Sequence, residues 1–289
     1  MKQLNLFIEL TRLRRPIGYM LLFWPCAWGL TIAYNFNQKL NLYFFYLVLF
    51  FLGAVLMRSA GCIINDIADK DFDKKVSRTK NRPIASGEIS VKTGLVYSII
   101  LCATAFVVLL NFNNFTILLA LGSMPLAFSY PLMKRFTYWP QLFLGITFNY
   151  GLILGWTSVY SEIDLIPIIF YIGAIFWTLG YDTIYGFQDI KDDEIIGIKS
   201  TAIKFKNNPK IFLLFSYSIF FISLIFIGLK MEFNYFYFLF LVLIFINLFV
   251  LQVKKLNYLN SEDCLKKFKL NNLLGLLVFI NLLIGKIII

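Results

Sequence analysis

The chain has 289 residues, and 59% of them are hydrophobic, with a mean hydropathy of +0.74. Soluble domains are typically about 45 to 50% apolar, so this composition excludes a soluble globular protein and indicates an integral membrane protein. The net charge of +11 comes from 27 Lys and Arg against 16 Asp and Glu, and there is no histidine. The commonest general base and zinc ligand is therefore excluded.

Nine apolar segments follow one another along the chain, each long enough to cross a bilayer as a helix of about 18 or more residues. The predicted spans are 17–34, 42–64, 92–110, 114–133, 139–158, 165–188, 210–229, 233–252 and 270–288. The connections between them are too short for a soluble domain, so we expect residues 1–289 to form one polytopic, all-α membrane domain. Residues 1–15 alternate apolar and polar side chains, which predicts an interfacial helix before the first span.

Basic residues concentrate in the loops on one side of the predicted membrane. Of the 27 Lys and Arg, 23 lie before the first span or after the second, fourth, sixth and eighth, and three lie in the opposite loops or at the opposite end of the chain. Cytoplasmic loops carry an excess of Lys and Arg. The N-terminus and these loops are therefore predicted to be cytoplasmic and the C-terminus to be outside. This distribution is typical of a membrane protein, so no nucleic-acid partner is expected.

The cytoplasmic end of the second span carries the first of two polar clusters. Its members on one helical face are Asn65, Asp66, Asp69 and Asp73. At 100° per residue, with Asn65 at 0°, Asp69 falls at about 40° and Arg58, two turns deeper, at about 20°. Asp71 falls near 240° and is predicted to be a solvated bystander. A carboxylate inside a membrane costs about 2.5 to 3.5 kcal/mol at a helix centre, so such residues usually mark function.

The second cluster lies at the cytoplasmic end of the sixth span. Its members are Asp182, Tyr185, Asp189, Asp192 and Asp193. On a continuous helix, Asp189 and Asp193 fall within about 20° of Asp182, so their carboxylates share one face. The simpler interpretation of the two clusters is that they are solvated, charged helix ends. Because each cluster lies on one helical face and beside a basic loop, we favour a binding site instead.

Oxygen-only clusters of this kind suit Mg²⁺, which takes one or two carboxylates together with phosphate oxygens. Nearby Arg82 and Lys199 are predicted to contact a diphosphate, since Arg and Lys stabilise phosphate charge. Arg58 and Asp182 each lie seven residues, or about 10 Å, deeper than the neighbouring cluster. We expect them to lie near an organic substrate; the alternative is that they only neutralise each other.

Several motifs resemble the intramembrane prenyltransferases of the UbiA superfamily. The resemblance rests on residues 57–73 (MRSAGCIINDIADKDFD), 81–87 (NRPIASG), 181–193 (YDTIYGFQDIKDD) and 197–202 (GIKSTA), and on Tyr130-x-x-x-Lys134. These matches are ordered along the chain, and the nine-span pattern covers nearly its whole length. The resemblance implies two related halves, helices 2–5 and 6–9, around a central cavity with a cytoplasmic cap.

The resemblance also implies roles for individual residues. The expected Mg²⁺-diphosphate ligands are Asn65, Asp69 and Asp73 in the first motif and Asp189 and Asp193 in the second, with Asp66 as a further candidate. The expected substrate-binding residues are Arg58, Arg82, Tyr130, Lys134, Tyr185, Asp192 and Lys199. Asp69, Asp189 and Asp182 are the expected catalytic residues. Asp182 is the expected proton acceptor on other grounds, because the chain has no histidine and Asp182 lies deeper than the cluster carboxylates.

Within the superfamily, residues 58–62 and 181–185 are most similar to members that prenylate 4-hydroxybenzoate. This implies polyprenyl diphosphate and 4-hydroxybenzoate as substrates, ubiquinone biosynthesis as the pathway, and a bacterial or mitochondrial inner membrane as the location, with no obligate protein partner. Naphthoate, homogentisate, haem or a chlorophyllide remain alternative acceptors. A secondary transporter with coupling carboxylates is a different class of alternative, and a structural scaffold is the weakest.

Overall fold

The structure, a computed structural model, describes residues 2–37, 39–76, 79–129 and 132–287, and every regular element in these ranges is helical. The long helices are α2 (Ile17–Ala33), α3 (Leu40–Ala68), α5 (Val91–Leu109), α6 (Asn114–Ser129), α8 (Pro140–Tyr160), α9 (Leu165–Gly186), α12 (Pro209–Lys230), α13 (Tyr235–Phe245, continued by a π-helix Ile246–Lys254) and α14 (Ser261–Ile287). A helix therefore lies at each of the nine predicted segments, and the all-α membrane fold class is confirmed.

Seven of these helices are long and apolar enough to cross a membrane, so the predicted count of nine spans is too high by this criterion within the described residues. The two exceptions are α2 and α6, with 17 and 16 residues. They reach about 26 and 24 Å at 1.5 Å per residue, less than the hydrocarbon thickness of about 30 Å. Most of α2 is buried, so it is chiefly a core helix.

Short helices connect the long ones on the side that carries the acidic clusters. They are α1 (Lys2–Leu10), α4 (Lys70–Asp73), α7 (Met133–Phe136), α10 (Ile190–Ile196) and α11 (Thr201–Lys204). Helix α1 confirms the helix predicted before the first span, although it ends at Leu10. Thr11 and the three residues after it form turns, with Arg12 at a left-handed φ of 55°.

The core lies around α2, which packs against α3, α8 and α14. Gly29 brings α2 close to α8, because a Cβ at Gly29 would collide with the carbonyl of Leu152. Small residues at helix contacts let backbones approach in this way. The ring of Trp28 is buried, stacks on Phe170 at 5.5 Å and tilts against Trp177 at 4.9 Å. These contacts join α2 to α9.

A buried hydrogen-bond network ties the later helices together. Tyr217 donates to Gln252 at 2.8 Å, Gln252 exchanges hydrogen bonds with Asn271 at 2.9 and 3.3 Å, and Trp177 donates to Asn271 at 2.8 Å. Polar side chains commonly join transmembrane helices by such interhelical bonds. The π-helical segment supplies Gln252, so this local change of register lets α13 join the network. The network holds α14 against α9.

Candidate active site

The first cluster surrounds the break between α3 and α4. Asn65 and Asp66 lie in the last turn of α3, Asp69 stands between the two helices, and Asp73 ends α4. Asp69 donates its backbone N–H to Asn65 at 2.9 Å, and Asp73 donates to Asp69 at 2.8 Å. The backbone therefore keeps an i to i+4 hydrogen-bond pattern through the break. Asp71 is exposed, in line with its predicted bystander role.

Two arginines from other segments bind the carboxylates of Asp66 and Asp73. Asp66 Oδ1 accepts hydrogen bonds from Arg12 Nη2 at 2.5 Å and from Arg82 Nη1 at 3.2 Å. Arg82 Nη1 also donates to Asp73 Oδ2 at 2.7 Å. Both carboxylates are almost fully buried. Because charge-assisted bonds of this kind are strong, they hold the N-terminal segment and the loop after α4 against the end of α3.

Asp69 is 1% exposed and pairs with a lysine of α7. Its Oδ2 accepts from Lys134 Nζ at 2.5 Å, whereas its Oδ1 has no hydrogen-bond partner among the described residues. Burial raises the pKa of the Asp69 carboxyl above its ordinary value, and the Lys134 ammonium offsets part of this rise. A buried carboxylate oxygen without a partner is costly, so Asp69 retains one oxygen for a further positively charged group.

The second cluster is divided between two helices, so the predicted continuous helix from Asp182 to Asp193 is wrong. Asp182 and Tyr185 lie on α9, which ends at Gly186, and Asp189 precedes α10. The backbone of Asp189 donates to Gly186 at 3.3 Å, an i to i−3 bond that tightens the last turn. Gly186, a poor helix former, ends α9 at this point.

The oxygen donors of both clusters suit a hard divalent cation such as Mg²⁺. The unpartnered Oδ1 of Asp69 supports this fit. Among the described residues, no three acidic or thiol side chains are grouped closely enough to hold a metal ion by themselves. Mg²⁺ needs no such cage, because it keeps water ligands and shares substrate phosphate oxygens. The residues present therefore fit a metal ion that binds together with a phosphate group.

A cavity of about 1440 Å³ begins beside the first cluster and extends into the membrane region. The polar side chains that line it include Arg58, Asn65, Asp66, Arg82, Asp182 and Tyr185. Its deeper part is apolar and is lined by residues such as Phe50, Phe106, Leu109, Phe112, Leu121 and Leu154. Asn65 and Phe50 are fifteen residues apart on α3, or about 22 Å along the helix. The cavity thus joins a charged mouth to a long apolar arm.

Arg58 and Asp182 line the same cavity, but no ion pair joins them in the described part of the chain. The guanidinium of Arg58 lies 5.3 Å from the centre of the Phe148 ring, a cation–π contact. Gly18 leaves room for it, since a Cβ there would lie 2.8 Å from Arg58 Nε. The two charged groups therefore face shared space, as expected for residues beside an organic substrate.

The sequence model of the UbiA prenyltransferase family matches residues 22–277. The chain belongs to this family. It is 41% identical over 288 residues to the mitochondrial 4-hydroxybenzoate polyprenyltransferase of Homo sapiens, a match that covers 99% of the chain and 76% of the human protein. The corresponding protein of Drosophila melanogaster is 40% identical over 283 residues, covering 98% of the chain and 71% of that protein.

Solved structures of UbiA homologues have the same fold. The apo structure of a homologue from Aeropyrum pernix K1 gives a TM-score of 0.76 at 22% identity, covering 93% of this chain and 98% of that one. A homologue from Archaeoglobus fulgidus bound to GPP and Mg²⁺ gives a TM-score of 0.69 at 20% identity, with coverage of 97% and 99%. At these identities the similarity establishes the fold alone.

The remaining residues predicted for the family's site do not line the cavity in the described part of the chain. They are Asp69, Asp73, Lys134, Asp189, Asp192, Asp193 and Lys199. Asp69 pairs with Lys134 of α7, and Asp73 pairs with Arg82, which lines the cavity. Lys199 Nζ lies 3.4 Å from the carbonyl oxygen of Phe136 and 5.7 Å from the centre of the Tyr138 ring. Tyr130 lies outside the described residues. The roles of all these residues stay predictions.

Arg12 is a residue at the site that was not predicted from the sequence. Arg12 lines the cavity and pairs with Asp66, 54 positions away. In the sequence it is one of several basic residues before the first span, which predicts only membrane orientation. Its left-handed backbone, uncommon for a residue other than glycine, is visible only in the structure. Arg12 therefore joins Arg82 among the positive side chains that line the cavity.

Proposed function

We propose that this protein transfers a polyprenyl group from polyprenyl diphosphate to 4-hydroxybenzoate, at the ring carbon ortho to the hydroxyl, and releases diphosphate. The observation that carries the proposal is about 40% identity, over nearly the whole chain, to relatives named 4-hydroxybenzoate polyprenyltransferase. The cavity supports it because an anionic head and a long apolar tail match its charged mouth and apolar arm. The pathway served is ubiquinone biosynthesis.

The diphosphate binds at the cavity mouth, between the two acidic clusters. The residues that would hold Mg²⁺ beside this mouth are Asn65, which lines it, and Asp69, Asp73, Asp189 and Asp193 of the two clusters. When bound, Mg²⁺ supplies Lewis-acid stabilisation to a departing diphosphate. Arg12 and Arg82 place guanidinium groups at the mouth, where they bind phosphate oxygens with matching geometry. Lys134, Lys199, Tyr130, Tyr185 and Asp192 complete the proposed binding residues.

The acceptor binds one layer deeper, between Arg58 and Asp182. Arg58 pairs with the carboxylate of 4-hydroxybenzoate, and its position over Phe148 keeps the guanidinium in the cavity. The bond between the allylic carbon and diphosphate breaks, and its electron pair leaves with the diphosphate. The ring carbon forms a new C–C bond with the allylic cation. The proton on this ring carbon passes to the Asp182 carboxylate, and its loss restores the aromaticity of the ring. A carboxylate takes this role because the chain has no histidine.

The polyprenyl tail occupies the apolar arm of the cavity, between Asn65 and Phe50 on α3 and the helices that face them. Such a tail is itself a lipid, so an active site inside the membrane avoids transferring it into water. The excess of basic residues in alternate loops supports a cytoplasmic N-terminus and cytoplasmic active-site loops, with the C-terminus outside. We place the protein in a bacterial or mitochondrial inner membrane.

Membranes that contain the protein should convert radiolabelled 4-hydroxybenzoate to a lipid-soluble product when polyprenyl diphosphate and Mg²⁺ are added. EDTA should abolish product formation, because it removes the metal ion that the diphosphate needs. Excess Mg²⁺ should restore product formation. Membranes without the protein are the control. If folded protein yields no labelled lipid with 4-hydroxybenzoate but does so with naphthoate or homogentisate, the acceptor assignment is wrong and the prenyl transfer stands.

Substitution of Arg58 with Gln should raise the KM for 4-hydroxybenzoate by about 10- to 100-fold, the loss expected for a charge-assisted hydrogen bond of about 1.5 to 3 kcal/mol. The KM for polyprenyl diphosphate should change little, since Arg58 lies about two helical turns from Asn65. Steady-state kinetics with each substrate varied in turn measures both. Unchanged kinetics with a lower melting temperature would mean that Arg58 has only a structural role.

A further inference from the structure

The carboxylates that would hold the metal and the basic groups that would hold the diphosphate are bound to each other. Lys134 donates to Asp69 at 2.5 Å, and Arg82 donates to Asp73 at 2.7 Å. Lys134 is 65 residues from Asp69 in the sequence, and Arg82 is nine residues from Asp73. The same oxygen therefore has two competing uses: it can bind a divalent ion or it can bind an ammonium group.

The competition differs between the two oxygens of Asp69. Oδ1 has no partner among the described residues, whereas Oδ2 is held by Lys134. A divalent ion held by Asp69 would compete with the ammonium group of Lys134 for this carboxylate. Lys134 is only 24% exposed, so an ammonium that loses its carboxylate is poorly compensated by water. A diphosphate bound beside it offers new anionic oxygens.

We propose that Lys134 exchanges between Asp69 and the diphosphate and thereby couples metal binding to diphosphate binding. This inference rests on the proposed function, because it assumes that the site takes a divalent ion and a diphosphate. The metal releases Lys134 from Asp69, and the released ammonium binds the diphosphate. Each ligand therefore strengthens the binding of the other, as the reciprocity of coupling requires. Lys134 is a positioning residue for the metal and a binding residue for the diphosphate.

The neighbouring Arg135 is a matched control for charge. It also lies on α7, but its Nη2 donates to the backbone carbonyl of Ala68 at 2.6 Å and its guanidinium lies 5.2 Å from the centre of the Phe72 ring. It holds no carboxylate of the cluster in the described structure. Substitution of Arg135 removes one positive charge from the same helix, as substitution of Lys134 does. It leaves Lys134 in place to compete with a divalent ion for the Asp69 carboxylate.

The test measures binding of Mn²⁺ by electron paramagnetic resonance, with and without inorganic pyrophosphate, in the full-length protein. Mn²⁺ prefers the same oxygen ligands as Mg²⁺. In the wild type, pyrophosphate should tighten Mn²⁺ binding by at least about tenfold, within the usual range of coupling. Lys134→Gln should bind Mn²⁺ alone several-fold more tightly than the wild type and should lose most of the tightening by pyrophosphate. Lys134→Arg should restore the tightening of Mn²⁺ binding by pyrophosphate.

A second variant tests the same exchange from the carboxylate side. Asp69→Asn frees Lys134, so pyrophosphate should bind several-fold more tightly than to the wild type when no metal is present. Asp71→Asn removes the same charge from an exposed position and should change pyrophosphate binding little. If Lys134→Gln does not fold, this comparison decides the question.

Equal effects of Lys134→Gln and Arg135→Gln on Mn²⁺ binding would overturn the exchange, because they would mean that only net charge matters. So would equal pyrophosphate affinities of Asp69→Asn and Asp71→Asn. Neither measurement uses 4-hydroxybenzoate or scores transfer. Failure of the exchange with an active enzyme would therefore leave the proposed function intact, while coupled binding without any prenylated product would overturn the proposed function alone.

Discussion

Replacement of Asp69 with Asn should lower prenyl transfer at saturating Mg²⁺ by at least about 100-fold, the upper end of the loss seen when a group that supports a metal ligand is removed. Asp69 is 1% exposed, has an unpartnered carboxylate oxygen and holds Lys134 at the end of α3. An amide keeps the size of the side chain but loses the negative charge that a divalent ion requires. The initial rate of lipid product formation in membranes measures the loss.

Asp71→Asn is the matched control for this prediction. Asp71 lies two residues away, on the exposed face of α4, and should retain nearly the full rate. Both variants should be shown to have wild-type melting temperatures in detergent. Asp69→Asn with more than a tenth of the wild-type rate, under conditions where EDTA abolishes the wild-type reaction, would remove Asp69 from the metal site.

The helices and the two clusters could be predicted from the sequence because each depends on local pattern. Apolar segments of the required length have few alternatives to a helix in a membrane, and the structure places a helix at each of the nine predicted positions. The 100° rotation per residue relates Arg58 to Asn65 on one face of α3, and both line the cavity. Periodicity was reliable here because α3 continues to Ala68.

The points at which helices end, and the ion pairs between residues distant in sequence, could not be predicted from local pattern. The end of α9 at Gly186 depends on a change to i to i−3 bonding, which a regular rotation per residue does not include. Arg12 meets Asp66 only because α1 and the turns after it fold back over the end of α3. Lys134 meets Asp69 through the packing of α7. A sequence with many basic residues in its cytoplasmic loops does not reveal which of them enter the site.

The sequence does not distinguish basic residues that only orient the protein in the membrane from basic residues that contact the acidic clusters. Lys199 and Lys134 both follow an apolar span and both fit family motifs. In the structure, Lys134 contacts a buried carboxylate, whereas Lys199 lies near a backbone carbonyl and the Tyr138 ring. Position in a cytoplasmic loop does not distinguish the two lysines, and the buried carboxylate contact of Lys134 is visible only in the structure.

Asp182→Asn should lower kcat by about 10²- to 10⁴-fold, the usual contribution of a general base. Asp182 lines the cavity, as Arg58 does, and no ion pair joins the two in the described part of the chain, as the proposed role of its carboxylate as proton acceptor requires. The KM for polyprenyl diphosphate should stay near the wild-type value, because the proposed diphosphate site lies nearer the cytoplasm. Steady-state kinetics with each substrate varied in turn measures both quantities.

The double variant Arg58→Gln/Asp182→Asn decides between catalysis and mutual neutralisation. If the two residues only balance each other's charge, removing both should restore much of the activity and stability that either single change loses. If Arg58 binds the acceptor carboxylate and Asp182 accepts the proton, the double variant should be no more active than Asp182→Asn. A double-mutant cycle on kcat/KM isolates this coupling. Because both residues line the cavity and no ion pair joins them in the described part of the chain, we expect the second result.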